Sequence, residues 1–351
     1  MGDGATPDGS SDGPHAVGVV GAGKIASSCH LPVLANTEGV EVAYVADVDG
    51  TRAGRLARSY DARSVTIDPD AGSVSLPACD AVVLAVPLEV RRPYLEAFGG
   101  RSIPVFAEKP FAPDPATHEA FEGLCDRIAC NYLRLCFGST RQLRALVDRA
   151  PFGRLERVHY AEGGVAGPTG RSRAATERGG GMLVEVGCHG LSQLVYVLHD
   201  WALSVEAASV AWQEGFDVDI DARLVAARGG REVAVNFEMS RVRPMETRLE
   251  LQFEHATVSV DPEAPDGTVS LAGDEGAALS FAPSERWAGT FAQAAYLRWQ
   301  EFLALVEGGP DAVETPTTLP EVTALVTAIH EAAGSPRDRV APRATDGGAP
   351  R

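Results

Sequence analysis

From Ala16 to Arg127 short apolar runs alternate with stretches of helical periodicity, and this alternation constrains the fold more tightly than any other feature of the chain. Residues 16–20, 40–46, 81–86 and 103–107 read as strands, and Val65 and Ile67 mark a short further one. Residues 25–37, 51–60, 90–98 and 116–127 read as the helices between them. The run 81–86 holds no polar residue, which suits a strand covered on both faces. Strands that alternate with helices predict a parallel, doubly wound sheet.

The second half changes character. A glycine-rich segment, 163–181, precedes a helix expected over 182–198. Strand-like stretches with turn signals follow at 205–212, 223–227, 232–239, 248–253, 257–260 and 268–271. Several alternate apolar and polar residues, the pattern of an antiparallel sheet with one wet face. Two helices, 293–306 and 319–333, close the ordered chain. The expected layout is an arm over 1–15, a dinucleotide-binding domain over 16–130, an α+β domain with an open, mainly antiparallel sheet over 131–334, and a tail over 335–351. Arm and tail read as disordered, and one late helix packs back on the first domain.

Charge narrows the partners. Lys plus Arg number 31 against 48 Asp plus Glu, a net charge of −17. Nucleic acid and anionic membrane surfaces both need a basic footprint, so neither is an expected partner. No apolar run approaches the roughly 20 residues of a bilayer helix. The start of the chain lacks the cationic and apolar regions of a secretory signal. Six cysteines without a C-x-x-C pair read as reduced thiols in a cytoplasmic protein, and no metal site is expected.

The first strand runs into Gly21-Ala22-Gly23-Lys24-Ile25-Ala26, a G-x-G-x-x-A turn that opens a helix. Gly21 allows the tight turn, Gly23 lets the backbone approach a pyrophosphate, and the helix start offers N–H groups to the anion. Ala26 lets helix and strand pack closely. Lys24 is either helix-start decoration or a phosphate contact. The second strand ends at Asp47. A carboxylate there accepts from ribose hydroxyls and repels a 2′-phosphate, which favours NAD, whereas Arg52 nearby would suit NADP. Its other reading is a cap on the following helix.

The strand 103–107 delivers Glu108-Lys109-Pro110 to the edge where a doubly wound sheet binds its ligands. Lysine occurs only at 24 and 109 in the whole chain. Lys109 is the candidate acid/base, with a surface pair to Glu108 as the plain alternative. Glu185 and His189, four residues apart, share one helix face and form a second acid/base and substrate-holding pair.

Taken together, these motifs resemble the Gfo/Idh/MocA oxidoreductase family from Val17 to Ala333. The resemblance rests on the glycine turn, Asp47, Glu108-Lys109-Pro110, Asn131-Tyr132-Leu133-Arg134, Phe152-Gly153, the triple glycine 179–181 with Gly187 and His189, and the region 296–333. It implies a Rossmann domain, NAD or NADP as hydride carrier, and a sugar, polyol or related small molecule as substrate. It implies homo-oligomers formed through the sheet domain. It further implies Lys109 as the catalytic lysine, Glu108 near the nicotinamide ribose, a cis Lys109–Pro110 bond, and His189 as the active-site histidine. Gly21, Gly23, Lys24, Ile25, Asp47, Pro87 and Glu108 then contact the cofactor, while Asn131 and Arg134 contact substrate.

The chain departs from the family pattern at four places. Glu185 and Ser192 stand where the family shows aspartate, Leu88 where it often shows asparagine, and Arg91 where it often shows histidine. Two other readings therefore stand beside the dehydrogenase: an NAD(P)-binding sensor without chemistry, and a lyase or hydrolase that uses the dinucleotide transiently.

Overall fold

A computed structural model describes residues 14–334, apart from 69, 72, 165–180, 274, 275, 277, 283–287 and 314. The expected tail, most of the expected arm and most of the segment 163–181 lie outside the described residues.

Six strands form the first sheet: β1 (His15–Val20), β2 (Val40–Asp47), β3 (Arg63–Thr66), β4 (Ala81–Leu84), β5 (Val105–Ala107) and β6 (Ile128–Cys130). They pair in the order β3-β2-β1-β4-β5-β6, all parallel. The order reverses beside β1, so the carboxyl ends of β1 and β4 flank the crevice where such sheets take ligands. All four residues of β4 are buried, because helices cover both faces of a parallel sheet. β6 is absent from the sequence expectation, since three residues carry no readable periodicity.

The helix expected over 25–37 is a π-helical turn, Ala26–His30, running into the short α-helix Leu31–Leu34 with Pro32 in its first turn. Helix Gly50–Ser59 buries Ala53 and Ala57, and its cap is Asp49, whose side chain accepts from the Arg52 N–H. Asp47 is thus released from the capping role.

The chain divides into two compact units. The first runs to Ala112, resumes over Ala116–Cys136 and takes in Thr290–Thr318. Helix Phe291–Gly308 therefore belongs to the first unit, the late helix expected to pack back on that domain. The reason is apolar packing. Trp299 and Phe302 join Val17, Val45, Val83 and Phe106 in one core, and Phe106 stacks on Phe302 at 4.9 Å. Truncating a core aromatic of this kind costs about 3–5 kcal/mol.

The second unit takes Pro113–Pro115, Phe137–Gly289 and the chain from Leu319 onward. Its sheet contains β7 (Leu155–Gly163), β8 (Ala202–Gln213), β9 (Phe216–Arg228), β10 (Arg231–Ser240), β11 (Arg248–Phe253), β12 (Ala256–Val260), β13 (Val269–Gly273) and β14 (Ala278–Phe281). The order is β14-β13-β12-β11-β7-β10-β9-β8, antiparallel except for the central β7–β10 pair. On β10, Val233, Val235, Phe237 and Met239 are buried while the residues between them are not, so one face carries the core. The expected helix 182–198 is a π-helical turn, Leu183–Gly187, continued by the α-helix Cys188–Val197. Helix Pro320–Ala333 also belongs to this unit.

Candidate functional site

Gly21 ends β1 with φ +100°, and a Cβ there would lie 2.3 Å from the Ala85 carbonyl oxygen. Only glycine meets both demands. Gly23, by contrast, has open space where a Cβ would be, with nothing within 4 Å. Lys24 and Ile25 already carry helical backbone ahead of this turn, and Ser27 N–H donates to Gly23 O at 3.2 Å, which leaves the N–H groups before Ser27 at the helix start to face an anion. Lys24 and Ile25 are exposed there.

Asp47, at the end of β2, is buried. One carboxylate oxygen accepts from the Ala22 N–H at 2.6 Å and the other from the Asp49 N–H at 2.8 Å. The carboxylate is thus locked beside the glycine turn, and each oxygen keeps a second lone pair for another donor. Arg52 is exposed and pairs with Asp49 at 3.4 Å. Pro87 is exposed just beyond β4, where it opens the turn Leu88–Val90.

Glu108 follows β5 directly. Its N–H still donates to the Leu84 carbonyl at 3.0 Å, so the sheet ladder fixes its backbone. Its carboxylate accepts from His30 Nε2–H at 2.8 Å and Asn131 Nδ2–H at 2.7 Å. Trp299 Nε1–H donates to His30 Nδ1 at 3.2 Å, which selects the His30 tautomer that carries its hydrogen on Nε2. Burial alone would push the Glu108 carboxyl up. The His30 and Asn131 hydrogen bonds and the Lys109 charge outweigh burial, and the net direction is down. Glu108 is therefore a fixed anion. Lys109 comes next, half-buried, and the Lys109–Pro110 bond is cis. Arg134 is buried on the short helix Leu133–Cys136.

In the second unit, Glu185 lies in the π-helical turn and His189 in the helix that continues it. Glu185 accepts from Arg241 at 3.0 Å. The start of this helix is held by Asp217, which is buried and accepts from the Met182 and Leu183 N–H groups. His330 Nε2 lies 2.8 Å from the other Asp217 oxygen. Gly181, at φ +110°, gives Asp217 room, since a Cβ would lie 2.4 Å from its carboxylate. A cavity of about 310 Å³ opens beside this turn, lined by Glu162, Gly163, Met182, Ser240, Arg241 and Glu263 among others.

The structure thus joins Glu108 with Asn131, and sets Asp47 under the glycine turn. His30, Trp299, Asp217, His330 and Arg241 were not singled out by the sequence reading. Their contacts span 78, 269, 35, 113 and 56 residues, and no local motif carries them.

Two family models match. The oxidoreductase family NAD-binding Rossmann fold of the Gfo/Idh/MocA group covers residues 15–132, and the Gfo/Idh/MocA C-terminal domain covers residues 140–259. The chain belongs to the Gfo/Idh/MocA family. Among curated Gfo/Idh/MocA-type relatives, inositol 2-dehydrogenase 4 of Saccharopolyspora erythraea is 38% identical over 98 residues, 28% of this chain and 29% of the relative. Inositol 2-dehydrogenase of Streptomyces avermitilis is 29% identical over 163 residues, 45% of this chain and 47% of the relative. The matched part thus spans less than half of either relative.

Solved structures align over most of the chain. An aldose–aldose oxidoreductase from Caulobacter crescentus, complexed with glycerol, has a TM-score of 0.77 at 17% identity, covering 91% of this chain and 97% of that one. A 3-ketoreductase from Actinomadura kijaniata, in complex with NADP and TDP-benzene, has a TM-score of 0.72 at 20% identity, covering 90% and 95%. At these identities the agreement speaks for the fold. Among the described residues, no helix is long and apolar enough to cross a membrane.

Proposed function

We propose that this protein is a nicotinamide-dinucleotide-dependent oxidoreductase acting on a hydroxyl- or carbonyl-bearing carbon of a sugar or polyol. The observation that carries the reading is Lys109 at the carboxyl end of β5, next in sequence to a carboxylate locked by His30 and Asn131. The glycine turn fits a dinucleotide. It leaves open space over Gly23, an uncapped helix start and a fixed carboxylate, Asp47, beside them.

When bound, the dinucleotide supplies the hydride acceptor or donor. The first helical turn after Gly23 binds the pyrophosphate, and Asp47 accepts from the ribose hydroxyls. Lys109 handles the proton. Its neutral amine takes the proton of a substrate hydroxyl during oxidation, and its ammonium returns a proton during reduction. The ammonium also stabilises negative charge that develops on the substrate oxygen. Glu108 keeps an anion next to Lys109 in the chain. In the second unit, His189 and Glu185 are the candidates that the family resemblance gives for holding substrate hydroxyls. The names of the curated relatives support a polyol as substrate.

NAD is the preferred carrier. A 2′-phosphate would meet the Asp47 carboxylate, and Arg52 is engaged with Asp49. Titration with NADH and NADPH, followed by nicotinamide fluorescence, tests this. NADH binds about tenfold tighter or more on the Asp47 argument. Tighter NADPH binding overturns the preference, and no binding of either at micromolar levels overturns the reading. A screen of polyols and keto-sugars then supplies turnover. Lys109→Met lowers that turnover by about 10²- to 10⁴-fold while NADH affinity stays within about twofold. Undiminished turnover removes Lys109 from the chemistry.

A further inference from the structure

Arg91 stands just ahead of helix Arg92–Gly99 and is only 1% exposed. It occupies the place where the family resemblance leads one to expect histidine. Taking a guanidinium out of water costs several kcal/mol unless its donors are met. Among the described residues no carboxylate lies within ion-pair distance of it; its partners are main-chain carbonyls. One Nη donates to Pro110 O at 2.6 Å and to Phe111 O at 2.8 Å, and the other to Val86 O at 3.5 Å. Its buried Nε–H has no acceptor among the described residues. Burial pulls its pKa down, and the negative charge of Glu108 is among the groups that act against that pull.

The two short contacts fall on the residues that follow Lys109. The last ladder bond of β5 is the Glu108 N–H to Leu84 O. Beyond it the chain leaves the sheet, and Pro110 has no N–H to offer. Phe111 is fully buried and packs against Phe121 and His118. Upstream of Lys109, the main chain is held by the ladder and the side chain of Glu108 by His30 and Asn131. Downstream, Arg91 holds the main chain through the Pro110 and Phe111 carbonyls. One Nη of the planar guanidinium holds the two successive carbonyls while the other reaches Val86 O, a set of three that an imidazole cannot cover.

We propose that Arg91 is a positioning residue, a strap on the carbonyls of Pro110 and Phe111 that fixes the reach of Lys109. The step rests on the reading of Lys109 as the proton carrier, but its test does not need a substrate. The chain has only two lysines, Lys24 and Lys109. Reductive methylation with ¹³C-formaldehyde therefore gives two lysine signals by NMR, assigned through Lys109→Met. In Arg91→Met and in Arg91→Gln, neither of which adds a lysine, the Lys109 signal moves by more than its line width and sharpens. The Lys24 signal stays in place, and NADH affinity stays within about threefold of the unaltered protein.

A Lys109 signal coincident with that of the unaltered protein in Arg91→Gln overturns the proposal. That variant keeps an amide donor without a buried charge and decides the matter if Arg91→Met does not fold. Movement of both signals together means general disruption and also overturns it. These failures leave the catalytic reading standing on the Lys109→Met turnover assay. Conversely, full turnover in Lys109→Met removes the catalytic reading whatever the NMR result.

Discussion

Two glutamates make an instructive pair. Glu108 is 8% exposed, accepts from two side chains and has its own N–H in a sheet ladder. Glu185 lies in a π-helical turn and pairs with Arg241, each side chain 24% exposed. One carboxylate is set by the fold, at the end of a buried strand. The other is set by a contact that water can reach and a ligand can replace. On the proposed function, chemistry common to many substrates is expected beside the first, and discrimination among substrates is expected beside the second, where the cavity lined by Arg241 opens. The difference can be tested by breaking each region in turn.

The largest effect falls on the rigid side, at the glycine turn. Gly21→Ala forces a Cβ to within 2.3 Å of the Ala85 carbonyl at φ +100°. Strain and overlap together destabilise by roughly 2–5 kcal/mol. A urea melt should show this, with NADH affinity lost as well. Gly23→Ala separates packing from ligand approach, because a Cβ there meets nothing within 4 Å. Its stability stays within about 0.5 kcal/mol of the unaltered protein, yet NADH affinity falls at least about tenfold if a pyrophosphate lies over Gly23. Unaltered affinity would remove the phosphate from that place.

The next effect is at Glu108. Its carboxyl is held below the ordinary value of 4.5. A depressed pKa in the folded state means the carboxylate contributes stability above about pH 4.5, and this is lost as pH falls further. Glu108→Gln removes that increment, about 1–3 kcal/mol for charge-assisted hydrogen bonds. Urea unfolding from pH 7 down to pH 3 should show the two proteins farthest apart near neutrality and converging in acid. Parallel curves would mean that Glu108 is not the fixed anion this comparison requires.

The same contrast explains what could be read without coordinates. Gly21, Gly23, Glu108 and Lys109 are legible because the groups that define them are neighbours in sequence, and a strand before a glycine turn is a local pattern. His30, which holds Glu108, and Trp299, which holds His30, are invisible in that reading because one comes from 78 residues away and the other from the late helix. Arg91 is visible only as a misfit, a cation where histidine was expected, and its partners are carbonyls that no motif records. Asp217 sits in a plain alternating strand, with nothing in Asp217-Val218-Asp219 to say that it holds a helix start. The parallel β7–β10 pair is hidden for a related reason: alternation tells which face a residue takes, not which strand lies beside it.

The smallest effect belongs to Arg241, and it bears most directly on the flexible side. Arg241→Gln breaks a 3.0 Å contact between two partly exposed side chains. Such pairs contribute about 0–1 kcal/mol, so the melting temperature should shift by no more than a few degrees. What should change is substrate recognition, because Glu185 loses its fixed partner and the cavity loses a cation. With a polyol found by screening, KM rises severalfold while kcat changes less and NADH affinity does not change. A loss of 3 kcal/mol or more would put this pair on the same footing as Glu108 and dissolve the contrast between the two glutamates. A small loss with a clear KM effect would sharpen it, since the contact would then serve the ligand rather than the fold.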